Sequence, residues 1–133
     1  MRKRTTLNIK PDCVELPGVL QDVMSCILNY NLCIIYAARV HRSEEFWREF
    51  YYEKATDPSF PDFVGFVAWR ASMPTIEFII EGDDNVVKVV REQVLPFLRL
   101  KYQKDVRQNG FHASDSDKAA EREICLMCRS SLG

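Results

Sequence analysis

The sequence predicts an α+β sandwich: a four-stranded antiparallel sheet with helices packed around it. Short β-rich segments alternate with stretches whose apolar residues recur at three- and four-residue spacing, and only four segments read as strands. With 133 residues, 47% of them hydrophobic, the chain is expected to form a single domain over residues 1–133. A folded chain of this mass hides roughly two-thirds of its extended surface, enough for a core without disulfides or a structural metal.

The elements follow in order. Thr5 to Lys10 alternates apolar and polar residues and stops at Pro11, the pattern of a half-buried strand. After the turn at Pro17-Gly18, Val19, Leu20, Val23, Met24, Ile27 and Leu28 are spaced for one helix face, closed by Asn29-Tyr30-Asn31. Leu32 to Val40 is β-rich and nearly all apolar and reads as a central strand. Ser43-Glu44-Glu45 caps a helix carrying Phe46 and Phe50, and Asp57-Pro58 opens another with a stripe of Phe60, Phe63, Val64 and Val67. Met73-Pro74 breaks the chain before a strand in which Ile76, Phe78 and Ile80 alternate with Thr75, Glu77 and Ile79. Gly82-Asp83-Asp84 leads into a helix bearing Val86, Val87, Val90 and Val94, ended by Pro96. A short strand near Gly110 to Ala113 precedes a helix from about Ser116 to Cys128, with Ser114-x-x-Asp117 as a capping box. The order β-α-β-(αα)-β-α-β-α is that of a split-βαβ, ferredoxin-like sandwich.

Composition narrows the partners. A net charge of −1 gives no case for a nucleic-acid or membrane binder. No apolar run approaches the ~20 residues of a membrane span, and polar residues interrupt any signal-peptide core after the basic start. The five cysteines, odd in number and irregular in spacing, suit free thiols in a reducing compartment. Cys125-x-x-Cys128 lacks the second ligand pair that zinc requires and reads as two ordinary thiols. Trp47 and Trp69 read as packing residues.

Two stretches carry chemistry. Of the two histidines, His41 reads as a solvated loop residue, whereas His112 sits where a short strand runs into a helix N-terminus, whose unpaired N–H groups favour phosphate. Between Lys88 and Arg107 six basic residues face two acidic ones, either an anion site or a solvated face of mixed charge.

These residues complete a resemblance. Arg4-Thr5-Thr6-Leu7-Asn8-Ile9-Lys10-Pro11-Asp12 resembles the opening strand of the nucleoside diphosphate kinases. Asn109-Gly110-Phe111-His112-Ala113-Ser114-Asp115 resembles that family's N-x-x-H-x-S-D signature, and Ala120-Glu121-Arg122-Glu123-Ile124 resembles its sequel. The similarity runs from Arg4 to about Leu126. It implies that His112 takes the γ-phosphate of a nucleoside triphosphate, typically ATP, and passes it to a diphosphate by a ping-pong route. It implies that Glu123 orients the ring, that Ser114 and Tyr51 flank it, with Tyr52 the alternative register for the tyrosine, and that Lys10, Arg91, Arg99 and Asn109 hold phosphates and sugar. Magnesium is implied through the nucleotide phosphates. So is a homo-oligomer built on a dimer formed by Val19–Leu28 and Leu32–Val40.

The chain departs from the family pattern in four places, the mildest being Ala113 where the family has a glycine. Ser59 stands where the family has an aromatic residue stacked on the base, so Phe63 is expected to supply apolar contact instead. The long loop between Arg91 and Arg99 is nearly gone, and little follows Cys128, so any hexamer is expected to be weak. The expected compartment is the cytoplasm, with the mitochondrion as alternative. The competing readings are a catalytically impaired kinase-like domain, serving as a nucleotide-binding or protein-interaction module, and an RNA-binding sheet. The latter would want exposed aromatics where the strands show Ile, Leu and Thr.

Overall fold

The computed structural model describes residues 2–102 and 109–132. Four strands, β1 (Lys3–Ile9), β2 (Cys33–Val40), β3 (Thr75–Gly82) and β4 (Phe111–Ala113), form one antiparallel sheet in the order β2-β3-β1-β4. This is the predicted ferredoxin-like arrangement.

Strand alternation sends two sets of side chains to opposite faces. Leu7, Ile9, Phe78, Ile80, Phe111 and Ala113 pack against α1 (Val19–Asn29) and a bent helix, α4 (Val86–Val89) running on into α5 (Leu95–Tyr102). On the other face Ile79 meets α2 (Glu44–Phe50), α3 (Phe63–Ala71) and α6 (Asp117–Leu132), with Phe46, Trp47, Phe50, Phe66, Leu126 and Met127 buried among them. The Ser43 hydroxyl caps α2 as predicted, accepting from the Phe46 N–H at 3.1 Å.

The structure reverses the expected roles of two strands. Thr5 to Lys10 reads as half-buried, yet β1 lies in the middle of the sheet and Thr5 to Ile9 are buried on both faces. Leu32 to Val40 reads as central, yet β2 is an edge strand bulged at Ile35, which is 44% exposed. Buried polar residues imitate a solvent-facing pattern in β1, where Thr6 hydrogen-bonds to Ser114 and Glu123; in β2, Ile34 and Tyr36 pack against the two cores while Ile35 lies exposed at the edge.

Three boundaries also differ. Asp57-Pro58 does not open a helix: Asp57 Oδ1 accepts from the Ser59 N–H and Oγ at 2.9 and 2.6 Å, and α3 begins at Phe63. Pro61 disfavours helical geometry at Phe60, and Asp62, at φ 50°, becomes the new cap, accepting from the Gly65 N–H. Val64, assigned to the apolar stripe, is 78% exposed. Pro96 does not end its helix. A wide turn over Val90–Val94, in which the Leu95 N–H bonds to the Val90 carbonyl, leads into α5, and the helix runs on through the proline to Tyr102. Finally, α6 is capped by Ser116, whose Oγ accepts from the Ala119 N–H at 3.0 Å, and not by Ser114, which is fully buried.

Candidate active site

The antiparallel register brings the two halves of the sequence pattern together. Asn8 pairs with His112 and Leu7 with Ala113, so the end of β1 lies beside β4. The contact is closed by the Lys10 N–H bonding to the Gly110 carbonyl at 2.8 Å. Gly110 has φ +85°, and a Cβ there would stand 2.7 Å from Cys13 Sγ, so glycine is required for this turn.

His112 projects toward α2 and α6, edge-on to the rings of Phe50 and Tyr51 at 5.0 and 5.3 Å. Its Nε2 lies 3.1 Å from Glu123 Oε1. The same oxygen accepts from Thr6 Oγ1 and Ser114 Oγ, each at 2.8 Å. Burial alone would raise the Glu123 pKa, but the contacts with His112, Ser114 and Thr6 outweigh it and hold the carboxyl below the ordinary carboxylate range. An ionised carboxylate at Nε2 requires the proton on that nitrogen. Nδ1 then carries the lone pair, which is what a nucleophilic imidazole needs.

A basic cleft of about 310 Å³ surrounds this ring, lined by Lys10, Arg91, Arg99 and Asn109 and also by Tyr51, Lys54, Phe60, Phe66 and Asp115. Lys10 Nζ donates to Asn109 Oδ1 at 2.8 Å, and Arg99 Nη2 donates to the Phe111 carbonyl at 3.2 Å. Arg91 Nη1 bonds to the Asp115 carbonyl at 3.1 Å. Burial, followed by the charges of Arg70 and Arg99, brings the Lys10 pKa down to about 7. Burial likewise lowers that of Arg99. A larger concavity, about 500 Å³ around Arg2, Lys3 and Glu121, contains none of these residues.

Of the predicted site residues, the structure gathers His112, Glu123, Ser114, Tyr51, Lys10, Arg91, Arg99 and Asn109 around one ring and its cleft. Tyr51 is the tyrosine beside His112; Tyr52 is 52% exposed beneath Arg122. Ser59 and Phe63 are not in the cleft lining, where Phe60 stands instead. Ser59 is turned into the Asp57 cap, and Phe63 packs on Phe60 at 6.5 Å between ring centres. Lys104 and Arg107, counted in the basic excess, lie outside the described residues.

Sequence reasoning missed Thr6, Lys54, Phe60 and Arg70. Thr6 follows only from the register, which sets it across from Ser114. Arg70 had a visible signal: it falls at i+7 from Phe63 and i+4 from Phe66, on the apolar face of α3.

Glu123→Gln is expected to slow phosphate transfer by about 100-fold or more, because a neutral amide neither specifies the tautomer nor stabilises positive charge on the ring. KM should move little, since Glu123 does not line the cleft; steady-state kinetics check both. The stability that Glu123 contributes is present above its ordinary pKa of 4.5 and is lost as pH falls through its lowered folded value. The variant should therefore show a flatter acid limb in thermal melts.

A histidine with one nitrogen held by a buried carboxylate, in a basic cleft, is the equipment of a phosphate-transferring protein. The sequence profile of the nucleoside diphosphate kinase family matches residues 3–131. The nucleoside diphosphate kinase of Methanosarcina barkeri is 32% identical, the match covering 97% of this chain and 89% of that protein. The crystal structure of the Aquifex aeolicus nucleoside diphosphate kinase superposes with a TM-score of 0.78 at 25% identity, covering 96% of this chain and 95% of that one. A family protein from Babesia bovis shares the fold, with a TM-score of 0.80 at 24% identity over 93% of this chain and 86% of that one. The chain belongs to the nucleoside diphosphate kinase family, and nucleoside diphosphate kinase is its enzyme class.

Proposed function

We propose that this protein carries the γ-phosphoryl group of a nucleoside triphosphate to a nucleoside diphosphate in two half-reactions, through Nδ1 of His112. The carrying observation is the Nε2–Glu123 contact at 3.1 Å, which leaves the other ring nitrogen as the nucleophile. In the first half, Nδ1 attacks the γ-phosphorus; the N–P bond forms as the bond to the β,γ-bridging oxygen breaks, and the diphosphate leaves with that oxygen's electrons. In the second, the acceptor's terminal phosphate oxygen attacks phosphorus and the N–P bond breaks, returning the lone pair to Nδ1. Glu123 balances the positive charge on the phosphorylated ring.

The chain's other residues position the nucleotide. Lys10, Arg91 and Arg99 offset phosphate charge, Asn109 beside Lys10 meets the sugar, and Phe60, with Lys54 6.0 Å over its ring, stands at the base side. Magnesium bound with the nucleotide would offset the charge of its phosphates, beside Lys10, Arg91 and Arg99. The cleft lining holds a single carboxylate, Asp115, so the nucleotide's phosphates would supply the ion's ligands.

Incubating the protein with γ-labelled ATP tests the reading. Acid-labile, base-stable label on His112, chased off by a nucleoside diphosphate, is the expected result. No label would favour the non-catalytic module, to which the shortened Arg91–Arg99 segment lends some support.

The assembly we propose is a dimer. Leu20, Met24 and Leu28 form an exposed apolar stripe on α1, and Ile35 is exposed on the neighbouring edge strand β2. Light scattering should give a mass of two chains that persists at low micromolar concentration, with any hexamer dissociating first; a monomer throughout would refute the dimer. No helix of the described residues is long and apolar enough to cross a membrane. The cysteines are free thiols, which supports a reducing compartment and the cytoplasmic assignment.

A further inference from the structure

Arg70 is fully buried on α3, in a layer otherwise made of Trp47, Phe50, Tyr51 and Phe66. Its guanidinium lies 3.8 Å from the centre of the Trp47 ring, and its Nε donates to Tyr51 Oη at 3.3 Å. Among the described residues neither Nη1 nor Nη2 meets a hydrogen-bond partner and no carboxylate forms an ion pair with the guanidinium. A buried cation with so little returned for its lost hydration is unfavourable, and an apolar side chain of similar length would fill the same space at least as well. Packing therefore does not account for an arginine here.

The hydrogen bond to Tyr51 does. A phenol oxygen has lone pairs to offer and one proton to give, whereas a guanidinium can only donate. Arg70 occupies the oxygen from the α3 side, so the Tyr51 O–H is excluded from that direction. Tyr51 also lines the cleft, its ring edge-on to His112. The direction left for the O–H is the cleft, where the phosphoryl group sits.

We infer that Arg70 is a positioning residue for phosphoryl transfer, holding the Tyr51 hydroxyl as a hydrogen-bond donor toward the phosphoryl group on His112. This rests on the phosphohistidine reading above. The O–H donates without giving up its proton, so the balance of the two half-reactions is unchanged. The bond is made to a phosphoryl oxygen whose charge changes during transfer, so its effect falls on kcat. The Arg70 charge also opposes the burial-driven rise in the Tyr51 pKa, which makes the phenol a better donor.

A double-mutant cycle of Arg70→Met and Tyr51→Phe tests this. Each single variant is expected to lower kcat by about tenfold with KM within about threefold of the wild type, and the double variant is expected to be no slower than Tyr51→Phe alone. Arg70→Met should melt at or above the wild-type temperature, since it removes an unpaired buried charge. An Arg70→Met loss of the same factor in both backgrounds, or a loss confined to KM, would overturn the role. Should Arg70→Met not fold, Arg70→Lys serves in the same cycle: a smaller kcat loss that vanishes beside Tyr51→Phe supports the role, and a loss equal in both backgrounds overturns it. Labelling by γ-labelled ATP separates the two readings. A wild-type protein that takes no acid-labile label refutes the phosphohistidine itself. Normal labelling with additive losses refutes only the function of Arg70.

Discussion

His112→Ala is expected to abolish acid-labile labelling and to lower phosphate exchange by about 10,000-fold or more, the scale of removing a covalent nucleophile. No neighbouring group can substitute. Ser114 and Thr6 are buried, with their hydroxyls committed to Glu123, and the Tyr51 phenol is pushed further from ionisation by burial. The chain has only one other histidine. That residue, His41, bonds through Nε2 to the Ala71 carbonyl at 2.8 Å on the surface, so His41→Ala is the matched control and should retain full activity. The fold should survive His112→Ala because Glu123 keeps two hydroxyl donors, with a stability loss of about 1–2 kcal/mol. A variant that melts like the wild type and still exchanges phosphate at an appreciable rate would sink the covalent route.

Nucleotide binding at pH 8 should take up close to one proton per site, carried by Lys10. The ordinary lysine pKa is 10.5, and in the empty cleft it is lowered to about 7 by burial and by Arg70 and Arg99. Above pH 7 the free cleft therefore holds Lys10 increasingly neutral, and an arriving phosphate draws the proton back. Affinity should fall as pH rises through 7, approaching tenfold per unit. Stability runs the other way. Between about pH 7 and 10 the unfolded chain binds the proton that the folded one has shed, so the nucleotide-free protein gains stability as pH rises, by at most about 1.4 kcal/mol per unit. Lys10→Met removes both trends and weakens binding near pH 7. Calorimetry in buffers of different ionisation enthalpy measures the uptake directly. A Kd that stays flat from pH 7 to 9 with buffer-independent heats would show that Lys10 is charged throughout.

Much of the site was legible because its chemistry is written in contiguous residues. Lys10 beside Pro11, the run from Asn109 to Asp115 and Glu123 in the following helix can be read without a fold, and the structure puts all of them around one ring. The base side was not legible in the same way. Whether Ser59, Phe60 or Phe63 faces the nucleotide depends on where α3 begins, and that depends on Pro61 and the Asp57 and Asp62 caps acting together.

By itself the sequence determined four strands, their alternation with helices, and His112 and Glu123 as the candidate nucleophile and its carboxylate. Local spacing and residue chemistry suffice for these, since both act over a few residues. Only the tertiary structure decided that β1 is central and β2 an edge, that Thr6 shares Glu123 with Ser114, and that Arg70 lies beneath Tyr51. Periodicity reports that a face is apolar or polar, not what covers it. A buried threonine satisfied by a carboxylate 117 positions away has the same local pattern as one facing water. Strand register and helix docking supply that difference, because they alone bring distant residues within hydrogen-bonding reach.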